Sequence, residues 1–331
     1  MKRKRKYVSM GVLLTGFLLI TLFLFYSFNL QQSAVKSIIP KHYEKEYVMI
    51  AEGEDSQFWQ NVYKSGQKEA IKNDAYLKWM EKDSSEAYSM EDYMKIAIAS
   101  KVDGIFIHPD GSTTVRELIN QAQEEKIPVI TLVDDDTQSD RISCIGLNAY
   151  QMGQEYADEI NQYVTDKTKH VEVLLDEKDT ANNDIIFNQM KSNIHTSKSE
   201  EGTLSITALD IAGQNTFDSE EGIRNVFIDN KNLPDILVCL SDTDTQAACQ
   251  AIVDYNQVGN ISIIGYYLSD TVKNAINKGI IQSAIVPDTD QIGKQAIDAM
   301  SEYSKNGNVS EYTSITLNVV TKDTIRHDTE N

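Results

Sequence analysis

The feature that most constrains this chain is a rhythm that starts at Tyr47 and runs to Val320. Apolar, strand-like runs of a few residues alternate with longer segments of helical period. A parallel sheet needs a long crossover between neighbouring strands, usually a helix, so this alternation predicts parallel sheets covered by helices, an α/β fold. The predicted strands are Tyr47–Ala51, Tyr76–Met80, Gly104–Ile107, Val129–Leu132, Ile142–Ile145, Val171–Leu175, Leu204–Leu209, Ile236–Leu240, Ile261–Ile264 and Gln282–Val286. Between them, Val115, Leu118, Ile119 and Ala122 recur at i, i+3, i+4, i+7, and Ile223, Val226, Phe227 and Ile292, Ala296, Met300, Tyr303 make similar stripes. These stripes read as core.

Several predicted strands stop at a polar or aromatic cluster: Glu54 to Trp59, His108-Pro109-Asp110, Asp134-Asp135-Asp136, Asp176 to Asp184, Ser241 to Asp244 and Tyr266-Tyr267. Ligands of open α/β sheets bind outside the carboxyl ends of the strands, so these clusters are expected to converge on one polar site with aromatic walls. At 331 residues the chain has room for two such lobes.

Upstream of the rhythm, Lys2 to Lys6 are all basic, and Tyr7 to Val35 carries no charge and is rich in Leu and Phe. A membrane helix needs about 20 apolar residues, whereas the apolar part of a cleaved signal is about 7–15 long. The segment 1–6 is therefore read as cytoplasmic, 7–30 as a transmembrane signal anchor, and 31–45 as a stalk. The positive-inside bias then places the globular part outside the cytoplasm. Cleavage near Gln32-Ser33-Ala34 is the competing reading, and no cysteine near the helix offers a lipid anchor. Cys144, Cys239 and Cys249 fall on apolar faces and read as small core residues.

The net charge is −19, although Lys2 to Lys6 are all basic, and this acidity repels nucleic acid. The sequence shows no nucleophile elbow, phosphate loop, Gly-rich dinucleotide turn, paired zinc histidines or calcium-binding loop, so no cofactor, metal or catalytic residue is expected. An enzymatic reading would need carboxylates such as Asp134 and Asp242 paired for glycoside hydrolysis.

Three stretches together resemble the type I periplasmic binding proteins, in the branch shared by ribose and galactose binders and the effector domains of LacI-type repressors. They are Ser56-Gln57-Phe58-Trp59 with the helix through Gly66 and Ala70; Val102 to Pro109 with Ile127 to Leu132; and Ile264-Gly265-Tyr266 through Gly279 to Gly293. The resemblance implies two Rossmann-like lobes joined by a three-crossing hinge, with sugar bound between them. It implies an N-terminal lobe of 46–146 plus 288–314 and a C-terminal lobe of 147–287 plus 315–322 closed by a strand at Ile315–Val320; the remaining 323–331 is read as a disordered tail. The membrane helix stands where the repressors carry a DNA-binding segment, which sets that branch aside.

By the same resemblance the ligand contacts are Ser56, Phe58, Trp59, His108, Asp134, Asn183, Asp184, Phe217, Asp242, Thr243 and Tyr267. Phe58 and Trp59 match the paired aromatics that sandwich a sugar ring in the family. Two arginines of the family's sugar clamp are missing: Val133-Asp134 stands for Asp-Arg, and Asn183-Asp184 falls near the second. A cleft with carboxylates and no such counter-ion disfavours anionic ligands and suits a neutral sugar or a cation. The implied partners are the permease of an ATP-driven importer or a membrane sensor histidine kinase. The alternative is a binding fold that has lost its sugar and acts as a docking module.

Overall fold

The computed structural model describes residues 43–51, 56–80, 88–176, 180–194, 204–211, 216–228 and 233–330. The basic segment, the apolar span, most of the stalk, and Glu54 and Asp55 lie outside the described residues. Among the described residues no helix is long and apolar enough to cross a membrane.

Two six-stranded sheets form two lobes within one compact unit, Glu44–Asn331. The first sheet has the order β11-β5-β4-β3-β1-β2, from Tyr312–Ser314 (β11), Ser143–Gly146 (β5), Val129–Val133 (β4), Gly104–Ile107 (β3), Lys45–Ile50 (β1) and Ala75–Trp79 (β2). The second has the order β12-β10-β9-β8-β6-β7, from Leu317–Thr321 (β12), Ser283–Pro287 (β10), Ser262–Tyr266 (β9), Ile236–Cys239 (β8), His170–Asp176 (β6) and Ser205–Ile211 (β7). All pairings are parallel except β10 with β12. Interior strands such as β3 and β8 are buried at every position, which explains why they read as unbroken apolar runs without alternation.

Helices cover both faces of each sheet. In the first lobe, Gln57–Lys72 (α1) packs with Thr289–Asn306 (α9) on one side, and Met90–Ser100 (α2) with Thr113–Glu124 (α3) on the other. In the second, Ala149–Tyr163 (α4) packs with Thr180–Asn193 (α5), and Thr216–Ile228 (α6) with Asp242–Asp254 (α7) and its neighbour Asp270–Lys278 (α8). The predicted stripe of α3 is buried at all four positions, and Ser112 caps that helix by accepting from the Val115 N–H at 3.1 Å. Where α1 crosses α9 two glycines meet: a Cβ on Gly293 would stand 2.3 Å from the Val62 carbonyl and 2.5 Å from the Gly66 amide. Only residues without a side chain allow that approach, and it sets the helix from which the site begins.

The chain passes between the lobes at 146–149, 287–289 and 314–317. These crossings are bonded to one another: the Ile315 N–H donates to the Gly146 carbonyl at 3.0 Å and the Asp288 N–H to the Thr316 carbonyl at 3.1 Å.

The structure corrects the sequence reading in two places. The short edge strand β11 was not expected, because three half-exposed polar residues carry no periodicity. The segment 323–331, read as a disordered tail, holds a helix, Lys322–Glu330 (α10), with Ile325 buried at 5% exposure against the second core. One apolar anchor in a charged run is enough when a neighbouring lobe supplies the surface, and the sequence alone does not reveal that surface. The three cysteines are free and buried, and burial pushes the Cys144 and Cys249 thiols up to about 12 and Cys239 upward too.

Candidate functional site

The site is built where strand ends of both lobes face each other. From the first lobe, α1 starts at Ser56, whose hydroxyl does not cap its own helix but reaches Asp242 Oδ2 of the second lobe in a long 3.5 Å contact. Phe58 and Trp59 follow at 4% and 7% exposure, their rings edge to face with centroids 5.0 Å apart. His108 follows β3, its main-chain N–H held by the Ile50 carbonyl at 2.9 Å. Its ring lies 4.9 Å from that of Trp59, and its Nε2–H donates to Asp134 Oδ2 at 2.8 Å.

The three consecutive aspartates after β4 take three separate roles. Both oxygens of Asp136 accept from the single Arg116 Nε–H, Oδ1 at 2.9 Å and Oδ2 at 2.8 Å. Asp135 accepts from Arg141 through Nε and through Nη2, the latter at 2.6 Å, and from the Thr131 hydroxyl at 3.1 Å. Only Asp134 joins the cleft, where its Oδ1 accepts from Asn182 Nδ2 of the second lobe at 2.8 Å. The two nearby arginines are therefore committed to other carboxylates, and neither is among the groups that meet Asp134.

The second lobe contributes α7 and the turn after β9. Asp242 is the first residue of α7, 6% exposed, and its Oδ1 accepts from Gln246 Nε2 at 2.9 Å. Burial pushes its carboxyl above the usual range, while bonds from Gln246, Ser56 and Ser269 pull the other way. A helix N-terminus favours an anion, and this partly offsets the burial. The buried Tyr266 hydroxyl is held well above its ordinary value by burial first, then by Asp134 and Asp242, so carboxylates of both lobes act on one phenol. Tyr267 turns back into the first lobe: its hydroxyl accepts from Asn61 Nδ2 and donates to the Gln57 carbonyl at 3.4 Å, and its ring meets Phe58 edge to face at 5.3 Å.

Of the sequence-predicted residues, Ser56, Phe58, Trp59, His108, Asp134, Asp242 and Tyr267 are thus brought together across one cleft. Thr243 sits half-buried beside Asp242, and Asn183 is buried on α5. Asp184 is exposed on α5, and Phe217 stands second in α6. Phe58 packs against Trp59, against Tyr266 at 6.0 Å and against Tyr267, and Trp59 and His108 stand together at the edge of the cleft. Sequence reasoning missed Asn182, Gln57 and Asn61. Asn182 had a signal, since the Asn182-Asn183 pair opens a helix after the carboxyl end of β6, but helical phase decides which of the two meets Asp134. Among the described residues no cluster of His, Cys, Asp and Glu has the arrangement of a metal site.

Comparison with known proteins agrees with this architecture. A family model described as a periplasmic binding protein domain matches residues 47–308. Among solved structures, the chain is similar to GanP, a glucose-galactose binding protein from Geobacillus stearothermophilus, with a TM-score of 0.73 and 19% identity over 84% of this chain and 98% of that one. It is similar to an ABC transporter solute-binding protein from Burkholderia graminis C4D1M in complex with D-arabinose, with a TM-score of 0.73 and 16% identity over 87% and 98%. It is also similar to a chain of the XylFII–LytSN complex, with a TM-score of 0.68 and 22% identity over 84% and 98%. No curated protein matches the sequence.

Proposed function

Because this chain belongs to the periplasmic binding protein family, whose members bind solutes without transforming them, we propose that it captures a small neutral sugar or polyol between its lobes and presents the closed form to a membrane partner. The observation that carries this reading is the polar set shared across the cleft. Asp134 and Asp242 come from opposite lobes, each already oriented by donors, with Trp59 and His108 beside them and both neighbouring arginines engaged elsewhere. Hydroxyl groups of a sugar both donate and accept, so they suit carboxylates flanked by amides, whereas an anion would meet like charge without a counter-ion. Relatives of the same fold bind galactose, glucose and D-arabinose, which agrees with a sugar of that size.

The N-terminal apolar segment is proposed to hold the protein at the membrane with its lobes outside the cytoplasm. Tethering raises the effective concentration at a fixed membrane partner, which favours a sensor kinase over a permease. A neighbour of this fold in complex with a second protein, LytSN, supports a binding lobe that docks. One observation favours the second reading, a docking module without a sugar: Phe58 and Trp59 are almost wholly covered.

The test is a titration of the full-length protein in detergent with D-galactose, D-glucose, D-arabinose, D-xylose, D-ribose and myo-inositol. The readouts are tryptophan fluorescence and melting temperature. The chain has two tryptophans, of which Trp59 borders the cleft and Trp79 is fully buried, so a ligand-induced change reports on Trp59. A ligand that binds only the folded state at 100 times its Kd stabilises by about 2.7 kcal/mol. A dose-dependent rise supports sugar capture; a folded protein that responds to none of the six transfers the case to the docking reading.

A further inference from the structure

Among the described residues, six that are not glycine have positive φ: Asp74, Lys101, Lys126, Val133, Asn256 and Tyr267. Asp74, Lys101, Lys126 and Asn256 lie in helix-to-strand turns, at the ends of the sheets away from the cleft. Val133 (φ 68°) and Tyr267 (φ 63°) instead stand where β4 and β9 end at the cleft. For a β-branched residue this region is an outlier, because its Cβ substituents crowd the backbone carbonyl.

At Val133 the backbone shows what the conformation accomplishes. The Asp134 N–H donates to the Leu132 carbonyl at 2.8 Å, closing a three-residue γ-turn of the strained, positive-φ kind around Val133. The Val133 carbonyl accepts from the Leu147 N–H at 3.0 Å, and Leu147 begins the first crossing between the lobes. The γ-turn reverses the chain at the last strand residue, and the next side chain is the one aspartate of the three that enters the cleft.

We propose that Val133 is a positioning residue. Its strained turn directs Asp134 toward His108 and Asn182, away from the arginine pairs that Asp135 and Asp136 make, and its carbonyl ties that carboxylate to the hinge. Strained backbone of this kind persists when its surroundings over-determine it, and it concentrates at ligand sites. The proposal rests on the reading of the cleft as the sugar site for its effect on affinity, but not for its effect on backbone and imidazole.

The test compares Val133→Gly, Val133→Ala and Val133→Asn in the full-length protein. At an ordinary position alanine is more stable than glycine; at a strained left-handed one the order inverts, so V133G melts above V133A by about 2 °C or more. Nitrogen-15 spectra of the histidines, with His108 assigned through its Gln variant, give a readout that packing alone would not move. The His108 Nε2 resonance shifts in V133G, because Asp134 is no longer held against it, and returns in V133N, since asparagine tolerates the left-handed turn. For the tightest-binding sugar of the six-member panel, Kd rises about tenfold in V133G, the scale of one lost charge-assisted hydrogen bond, and stays near the parent value in V133N. V133A melting at or above V133G overturns the strain, and an unmoved His108 resonance in V133G overturns the positioning role. If no sugar binds the parent protein, the sugar reading fails, and the melting order and the imidazole shift still decide the role of Val133.

Discussion

Tyr267→Phe removes one oxygen from the cleft and keeps the ring that packs on Phe58. That oxygen belongs to the second lobe, and its partners, Asn61 Nδ2 and the Gln57 carbonyl, belong to the first. The bonds therefore exist only when the lobes are closed, and their loss acts on the closing equilibrium more than on the fold of either lobe. A hydrogen bond of this kind contributes about 0.5–1.5 kcal/mol net, which corresponds to a factor of about 2–13 in the closed-to-open ratio. Because the apparent Kd scales inversely with the competent fraction, sugar affinity falls by up to that factor while the melting temperature of the unliganded protein stays nearly constant. Fluorescence titration supplies the affinity, and small-angle scattering without ligand shows a larger radius of gyration for the variant. Asn61→Ala and Tyr267→Phe are expected to be non-additive, since they remove two ends of one contact. Unchanged affinity in Y267F, or full additivity in the double variant, would refute this reasoning.

Two further outcomes follow from the packing and the charges. Gly293→Ala drives a methyl group into the backbone of α1, with contacts of 2.3 and 2.5 Å, so it lowers stability by about 3 kcal/mol despite alanine's better helix propensity; a fall in denaturation midpoint at constant slope checks this. For Asp242, burial raises the carboxyl above its ordinary value of 3.8, so the folded protein binds this proton more tightly than the unfolded chain does. Its contribution is present at acidic pH and is lost as pH rises from 3.8 through the raised value. The melting temperature of the parent relative to Asp242→Asn therefore declines from acidic to neutral pH, and a flat difference contradicts the assignment.

Much of this fold was legible in the order of residues, because what makes a parallel sheet with its helices is short-range. β3 matched its predicted bounds, Gly104–Ile107, and the α3 stripe faced the core, since side-chain period alone decides which positions can be buried. The polar clusters at strand ends were visible for the same reason: parallel strands place all their carboxyl ends on one side. What the sequence could not decide is which members of a cluster meet. Asp134, Asp135 and Asp136 are chemically identical, and only the positions of Arg116, Arg141, His108 and Asn182, brought in from separate elements, divide them. The phase of α5 brings Asn182 to Asp134 and leaves Asp184 exposed, and the approach of the lobes sets Tyr266 and Tyr267 around the Phe58 ring. By itself, then, the sequence determined the layers and the end of the sheets where the polar clusters gather, because local periodicity encodes them, while the division into two lobes was legible only through resemblance to a known family. The tertiary structure decided the partners within the cleft, because those depend on register between segments 210 residues apart, as Gln57 and Tyr267 are.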